Sequence, residues 1–484
     1  MSGLNFCKKY ILIFAGVYVF GIVALPLFNY TIDQFRVLHG DYAKAYKLAK
    51  ENPDMPKLLE KDSTFLLVKY YAENIHDFSS FILGSSRSCA IDSAKLDKGW
   101  ARVNFSGGTA SRYRTMLEVM ENSGAKLDEV VIGLDVYSFY MDLFKNNLRN
   151  LPYTGSRLKN FITYLRFLYK LPSKYDYHII RGDYKLSEVQ YITYVHYAYI
   201  ADEKRLATER YRKRAEWLTD EIRKEDYSKY TDRYGTLMLG STMKDLTAIK
   251  EICERNGWKL VFYLNPDNYK LFLMLNPEQT EEYLTRLAEL QPFYSFIGIS
   301  SMNNDMRYFF DQNHFYSVVA NRILDIVLRG KEVSVDSFGL RITKENVREQ
   351  MKQIIKNSFK YVPDIMFNDS NLTISNNYFD NKLTMPVTIS KNTNDDYKLD
   401  YAGAEGQSQK YLRLTLTAET GTEFVIKSPD GNIYGNKSEY RAKMEKSEQI
   451  FFVPVSRDRL GLEFNKPGAV VKEASLLTSK YTSE

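Results

Sequence analysis

Five histidines serve the whole 484-residue chain: His39, His76, His178, His196 and His314. Any chemistry that needs an imidazole must draw on these. His314 stands in Asp311-Gln312-Asn313-His314-Phe315, with a carboxylate three residues before it. A serine nucleophile needs a base, and that base needs an orienting carboxylate on its other ring nitrogen. One loop supplies both if it lies across a sheet edge. The same spacing also suits a helix N-cap or two metal ligands, although no third ligand of matching character completes a zinc set. The candidate hydroxyl lies in Ile82-Leu83-Gly84-Ser85-Ser86-Arg87-Ser88. A serine just after a strand sits at the C-terminal edge of a parallel sheet, where such sheets hold ligands. Backbone N–H groups there face an incoming oxyanion. Gly-Ser-Ser strings also occur in ordinary turns. Arg87 suits an anionic substrate or a structural salt bridge. Cys89 has no second histidine near it in sequence and reads as a buried bystander. His178 and His196 fall among tyrosines and read as packing or surface residues.

The elements that must position these residues alternate. Ser80 to Leu83 and Val103 to Phe105 read as short strands, the first ending at Gly84 and the second at Ser106-Gly107-Gly108. Ile91 to Leu96 suggests a helical turn. Thr109 to Asn122 has helical spacing, and Glu129 to Leu134 is a third strand. This order marks a parallel sheet with helices on both faces. From about Tyr140 to Leu239 the alternation is interrupted by a stretch rich in Tyr, Lys, Arg and Glu, including a helical segment at Asp202 to Arg223. It reads as an inserted helical lobe beside a cleft, or as a solvated helical pair with no ligand. The alternation then resumes: helix Met243 to Asn256, strand Lys259 to Leu264, helix Gln279 to Leu290, strand Tyr294 to Ile299, helix Phe315 to Leu328, and a short helix near Glu345 to Lys356. From about Val362 short alternating runs take over at Tyr411 to Thr417, Glu423 to Lys427, Ile450 to Val455 and Leu460 to Phe464. Their spacing fits an antiparallel β-sandwich.

At the other end, Tyr10 to Phe28 carries no charge and is about long enough to cross a bilayer. Lys8 and Lys9 precede it, so the positive-inside rule places the rest of the chain outside. The run ends in ALPLFNY, a poor cleavage site, which favours an uncleaved signal anchor over a signal peptide. Thr31 to Phe78, including DYAKAYKLAKEN and FLLVKYYAENIHDF, reads as an amphipathic helical neck. The expected organisation is anchor 1–30, neck 31–78, α/β domain 79–360 and β-sandwich 361–484. Three cysteines exclude a disulfide framework and a multi-Cys zinc site. With 66 basic against 60 acidic residues, the net charge of +6 is not that of a nucleic-acid-style basic protein.

Taken together, serine after the first strand, a glycine turn after the second and Asp-x-x-His before the last helix resemble the SGNH hydrolase superfamily. The membrane-anchored members that O-acetylate polysaccharides, of the alginate O-acetylation and DltD-like teichoic acid D-alanylation kind, are the most similar. They also use an N-terminal anchor and a Gly-Ser-Ser variant of the serine block. The resemblance covers roughly Ser80 to Lys356 without the insertion, and implies a flavodoxin-like α/β domain. It further implies Ser86 as nucleophile, His314 as general base, Asp311 as its orienter, and an oxyanion hole of the backbone N–H groups of Ser86 and of Gly107 or Gly108. Neither a cofactor nor a metal is implied. The third block of the family usually offers an Asn side chain, whereas this chain has Gly133-Leu134-Asp135, and an ionised Asp donates no hydrogen bond. Asp135 therefore reads as structural or as a substrate contact. The expected function is acyl transfer, acetyl in the first instance, to or from an extracytoplasmic or cell-wall polysaccharide by an O-acetyltransferase or acetylesterase. The resemblance also implies a membrane-bound O-acyltransferase as donor partner. The C-terminal sandwich reads as a carbohydrate-binding module or as a packing domain. The alternatives are a non-catalytic glycan-binding or assembly scaffold with a relic site, and a plain esterase.

Overall fold

The structure is a computed structural model. It describes residues 2–33, 37–39, 64–92, 95–105, 107–139, 153–181, 199–225, 239–332, 338–358, 361, 378–391, 396–401, 410–429, 431–433, 438–455 and 459–479. The neck segment DYAKAYKLAKEN, Ser106 and His196 lie outside the described residues. The chain is mixed α/β with a parallel sheet, an apolar N-terminal helix and a C-terminal antiparallel region.

The N-terminal helix contains a 26-residue segment, Cys7–Ile32, that is long and apolar enough to cross a membrane, and its apolar side chains are largely exposed while Asn29 is buried. The helix widens into a π turn over Phe20–Ala24, where Leu25 N–H bonds back to Phe20 C=O. Pro26 follows directly. Its ring would crowd the carbonyl four residues back, and the wider turn relieves this.

The chain divides into two compact units. The first comprises Met1–Glu203, Thr236–Asn265 and His314–Arg329. The second comprises Lys204–Gly235, Pro266–Asn313 and Gly330–Glu484. Within the second unit, Arg223 at the end of the helix Glu209–Lys224 pairs with Glu445 at 2.8 Å, which ties part of the insertion to the C-terminal region.

In the first unit, β1 (Ser80–Ser85), β2 (Trp100–Phe105), β3 (Glu129–Leu134) and β4 (Lys259–Leu264) are parallel in the order β2-β1-β3-β4. All six residues of β1 are buried. This is the mark of a strand covered on both faces, and it explains why SFIL is apolar without alternation. The helices Ala110–Asn122 and Leu239–Asn256 pack on each other, bridged by Arg255–Glu121 and Arg114–Asp245. In the second unit, β5 (Phe293–Ser295) pairs antiparallel with β6 (Leu340–Ile342). β5 is shorter than expected. Gly298 has φ +103° and a Cβ there would lie 2.8 Å from Ile354, so the chain leaves the ladder. Ile299 N–H turns instead to Ser358 Oγ at 2.8 Å.

The C-terminal strands form two antiparallel sheets. One joins β7 (Phe379–Pro386), β10 (Lys410–Thr417), β13 (Glu448–Val455) and β15 (Val470–Ser479). The other joins β8 (Thr388–Lys391), β9 (Tyr397–Asp400), β11 (Glu423–Lys427), β12 (Glu439–Lys443) and β14 (Arg459–Phe464). Leu412, Leu414 and Leu476 from one sheet share a buried core with Leu399, Ile426 and Leu462 from the other.

Candidate functional site

Strand β1 ends where its glycine permits a tight reversal. A Cβ on Gly84 would fall 1.7 Å from Ser88 Oγ, so only glycine lets the 3₁₀ turn Ser86–Ala90 fold back on the strand end. Ser85 Oγ accepts the N–H of Arg87 at 3.2 Å and caps that turn. Ser86 is left half-buried at its first position. The glycine turn after β2 lies against the same point. Gly107 has φ +61°, and a Cβ on Gly108 would meet Tyr113 Oη at 2.2 Å and Ser85 Cα at 3.0 Å. The backbone of Gly108 therefore approaches the serine block as no larger residue could.

From 228 residues further along the chain, His314 brings Nε2 to 2.8 Å from Ser86 Oγ. Two features hold it there. The buried Phe315 and Tyr316 lead into the helix Ser317–Val327, which packs on the Ser86–Ala90 turn. The imidazole also stacks on Tyr199, with centroids 5.3 Å apart and planes 9° from parallel. Tyr199 is held in turn through Ala201, whose N–H and C=O both bond Ser317 Oγ at 3.0 and 2.9 Å. Tyr199 was not identifiable from the sequence, where it is one of 38 tyrosines.

Asp311 belongs to the second unit, where its Oδ1 accepts the N–H of Asn313 at 2.8 Å. It does not cap the following helix, whose N-cap residue is Tyr316 without a side-chain bond. The capping role that competed for this Asp is thus absent.

Beneath Ser86 the charges are turned inward. Arg87 and Asp135 are 3% and 0% exposed and face each other, Nε to Oδ1, at 3.4 Å. Asn265, at the end of β4, donates Nδ2–H to Asp135 Oδ1 at 3.0 Å and its own N–H to Leu134 C=O at 2.8 Å. The sequence left Arg87 and Asp135 open between substrate contact and structure. As placed, the two face each other as a buried ion pair. Burial, followed by the charge of Asp135, holds the hydroxyls of Tyr113 and Tyr137 well above the usual phenol range. Tyr113 also donates to Gly133 C=O at 3.3 Å. Cys89 is fully buried and its sulfur accepts from Asn104 Nδ2 at 3.2 Å. Among the described residues, no group of three or more His, Cys, Asp or Glu side chains is placed to hold a metal ion.

No family model and no curated protein matches the chain. Among solved structures, two crystal structures of the capsular polysaccharide assembling protein CapF from Staphylococcus aureus are found at 9% identity. They cover 82% of this chain and 95% or 94% of that one, with TM-scores of 0.15 and 0.13. Superpositions that poor carry no argument about this chain.

Proposed function

We propose that Ser86 and His314 are the nucleophile and general base of an SGNH-like acyltransferase or esterase acting on an extracytoplasmic polysaccharide. The observation that carries this reading is the 2.8 Å approach of Nε2 to Oγ, within the reach a proton transfer needs. In this reading Ser86 Oγ attacks an acyl carbonyl while its proton passes to His314 Nε2. The tetrahedral oxyanion is met by the N–H groups of Ser86 and of Gly107 or Gly108. The imidazolium then returns the proton to the departing oxygen, leaving an ester on Ser86. Water or a sugar hydroxyl, deprotonated by His314, resolves that ester by hydrolysis or by transfer. The resemblance gives Asp311 the role of orienting His314. Asp135 stands where the family usually offers an Asn side chain, and losing one such donor costs about 2.7–4 kcal/mol in the barrier unless a different residue completes the hole.

The apolar helix Cys7–Ile32 supports a single-pass membrane anchor, with the serine site on the outer side following Lys8 and Lys9. The acyl donor would then be a membrane-bound O-acyltransferase. The C-terminal antiparallel sheets would hold the polymer and raise its effective concentration. The test is hydrolysis of p-nitrophenyl acetate by the wild-type chain, Ser86→Ala and His314→Ala. Loss of about 10⁴-fold or more in kcat/KM is expected for each, as when triad members are removed elsewhere. Equal rates in all three would leave a non-catalytic scaffold.

A further inference from the structure

The helix Arg157–Leu168 is built with its apolar stripe facing away from the protein. Its buried face carries Asn160, Thr163 and Phe167, two of them polar. Leu158, Phe161 and Ile162, spaced as one stripe, are 68%, 57% and 44% exposed. The same holds just beyond it: Leu171 is 81% exposed, and Tyr177 and Ile180 on the helix Lys174–Ile180 are 55% and 56% exposed. Scattered exposed apolar residues need no explanation, but a cluster of this kind marks a contact surface. Within 157–181 the exposed charges have one sign. Arg157, Lys159, Arg166, Lys174 and Arg181 are all exposed, while Asp176, the one acid between 157 and 181, is fully buried. Asp176 is occupied by Lys170 Nζ at 2.9 and 2.8 Å. A basic rim around an apolar face is the pattern of a segment lying in an anionic lipid surface.

The position of the lobe fits that pattern. Asn29, near the end of the apolar N-terminal helix and 2% exposed, donates Nδ2–H to Leu168 C=O at 2.6 Å and to Lys170 C=O at 2.8 Å. Cys7–Ile32 has 26 residues, or about 39 Å at 1.5 Å per residue. A hydrocarbon core is about 30 Å thick, so the last turns of the helix, with Asn29, reach the headgroups. We infer that the lobe 157–181 lies in the headgroup layer of the bilayer crossed by Cys7–Ile32, with its apolar stripe in lipid and its cations on anionic phosphates. The inference rests on that helix being membrane-embedded and is independent of the serine chemistry.

The experiment uses the full chain with Cys7→Ser, reconstituted in phosphatidylcholine vesicles containing phosphatidylglycerol. Nitroxide labels are placed at Phe161→Cys, Leu171→Cys or, as anchor control, Leu12→Cys; Cys89 and Cys253 are buried. Collision with oxygen is compared with collision with a water-soluble nickel chelate. The expected ratio at 161 and 171 is several-fold above that of the free label in buffer. Buffer-like ratios at 161 and 171 with a lipid-like ratio at 12 overturn the inference and leave the anchor standing. Collisions suppressed for both reagents at 161 and 171 would mean that a protein covers the face, and would also overturn it. A buffer-like ratio at 12 removes the anchor and the inference together.

Discussion

The carboxyl ends of the parallel strands and the core of the C-terminal sheets treat polar groups in opposite ways. Under Ser86, an arginine, an aspartate and an asparagine from three different strand ends are buried on one another. Between the antiparallel sheets the core is leucine, isoleucine, valine and aromatic side chains. There the ion pairs lie outside, as with Lys427–Glu463, whose side chains are 44% and 49% exposed. A buried pair contributes little net stability over an apolar replacement, but losing one partner strands a charge. An exposed pair is screened and nearly free to lose. The first region is thus stabilised in a way that fixes geometry, and the second in a way that only needs bulk.

Substitutions separate the two. Asp135→Ala leaves the Arg87 guanidinium buried without its carboxylate, and about 3–5 kcal/mol of stability should be lost in urea unfolding. A loss below about 1 kcal/mol would make this pair no different from a surface one. Alkaline titration sharpens the same contrast. Burial foremost raises the hydroxyls of Tyr113 and Tyr263 well above 10.0, and burial pushes the Cys253 thiol from 9.0 up to about 12. Each keeps its proton to higher pH in the folded chain than in the unfolded one. Their stabilising contribution is therefore full below the unfolded values and is lost as pH rises through the folded ones. The unfolding free energy measured in urea should fall above about pH 9, by about 1.4 kcal/mol per pH unit for each group that titrates only on unfolding. Flat values from pH 8 to about pH 11 would contradict the burial of these groups. The smallest effect belongs to Lys427→Ala, with less than about 1 kcal/mol lost and less still at high salt.

What the sequence disclosed follows the same division. Glu129–Leu134, Lys259–Leu264 and Glu423–Lys427 were legible to the residue, because their apolar runs are bounded by turn residues. Val470–Ser479 was missed for a physical reason. Lys472 is an extra residue between the partners of Thr415 and Leu416, and this bulge resets the alternation so that VVKEASLL reads as no strand. Ser86 and His314 were legible as residue types in loops next to predicted elements. The pairing of Arg87, Asp135 and Asn265 was not, because it depends on the register of three strands, which no local pattern encodes. Nor was the outward stripe of Arg157–Leu168. Positions 160, 163 and 167 and positions 158, 161 and 162 both have helical spacing, and periodicity alone does not say which stripe faces the protein.

The central claim is that the Ser86 hydroxyl, with His314 as its base, takes up an acyl group. Mass spectrometry of the chain quenched in acid after brief exposure to p-nitrophenyl acetate tests this most directly. The account predicts one added acetyl group on the peptide carrying Ser86, with none on that peptide in Ser86→Ala and strongly slowed labelling in His314→Ala. An unmodified Ser86 peptide in the wild-type chain, or equal labelling in all three, would contradict it.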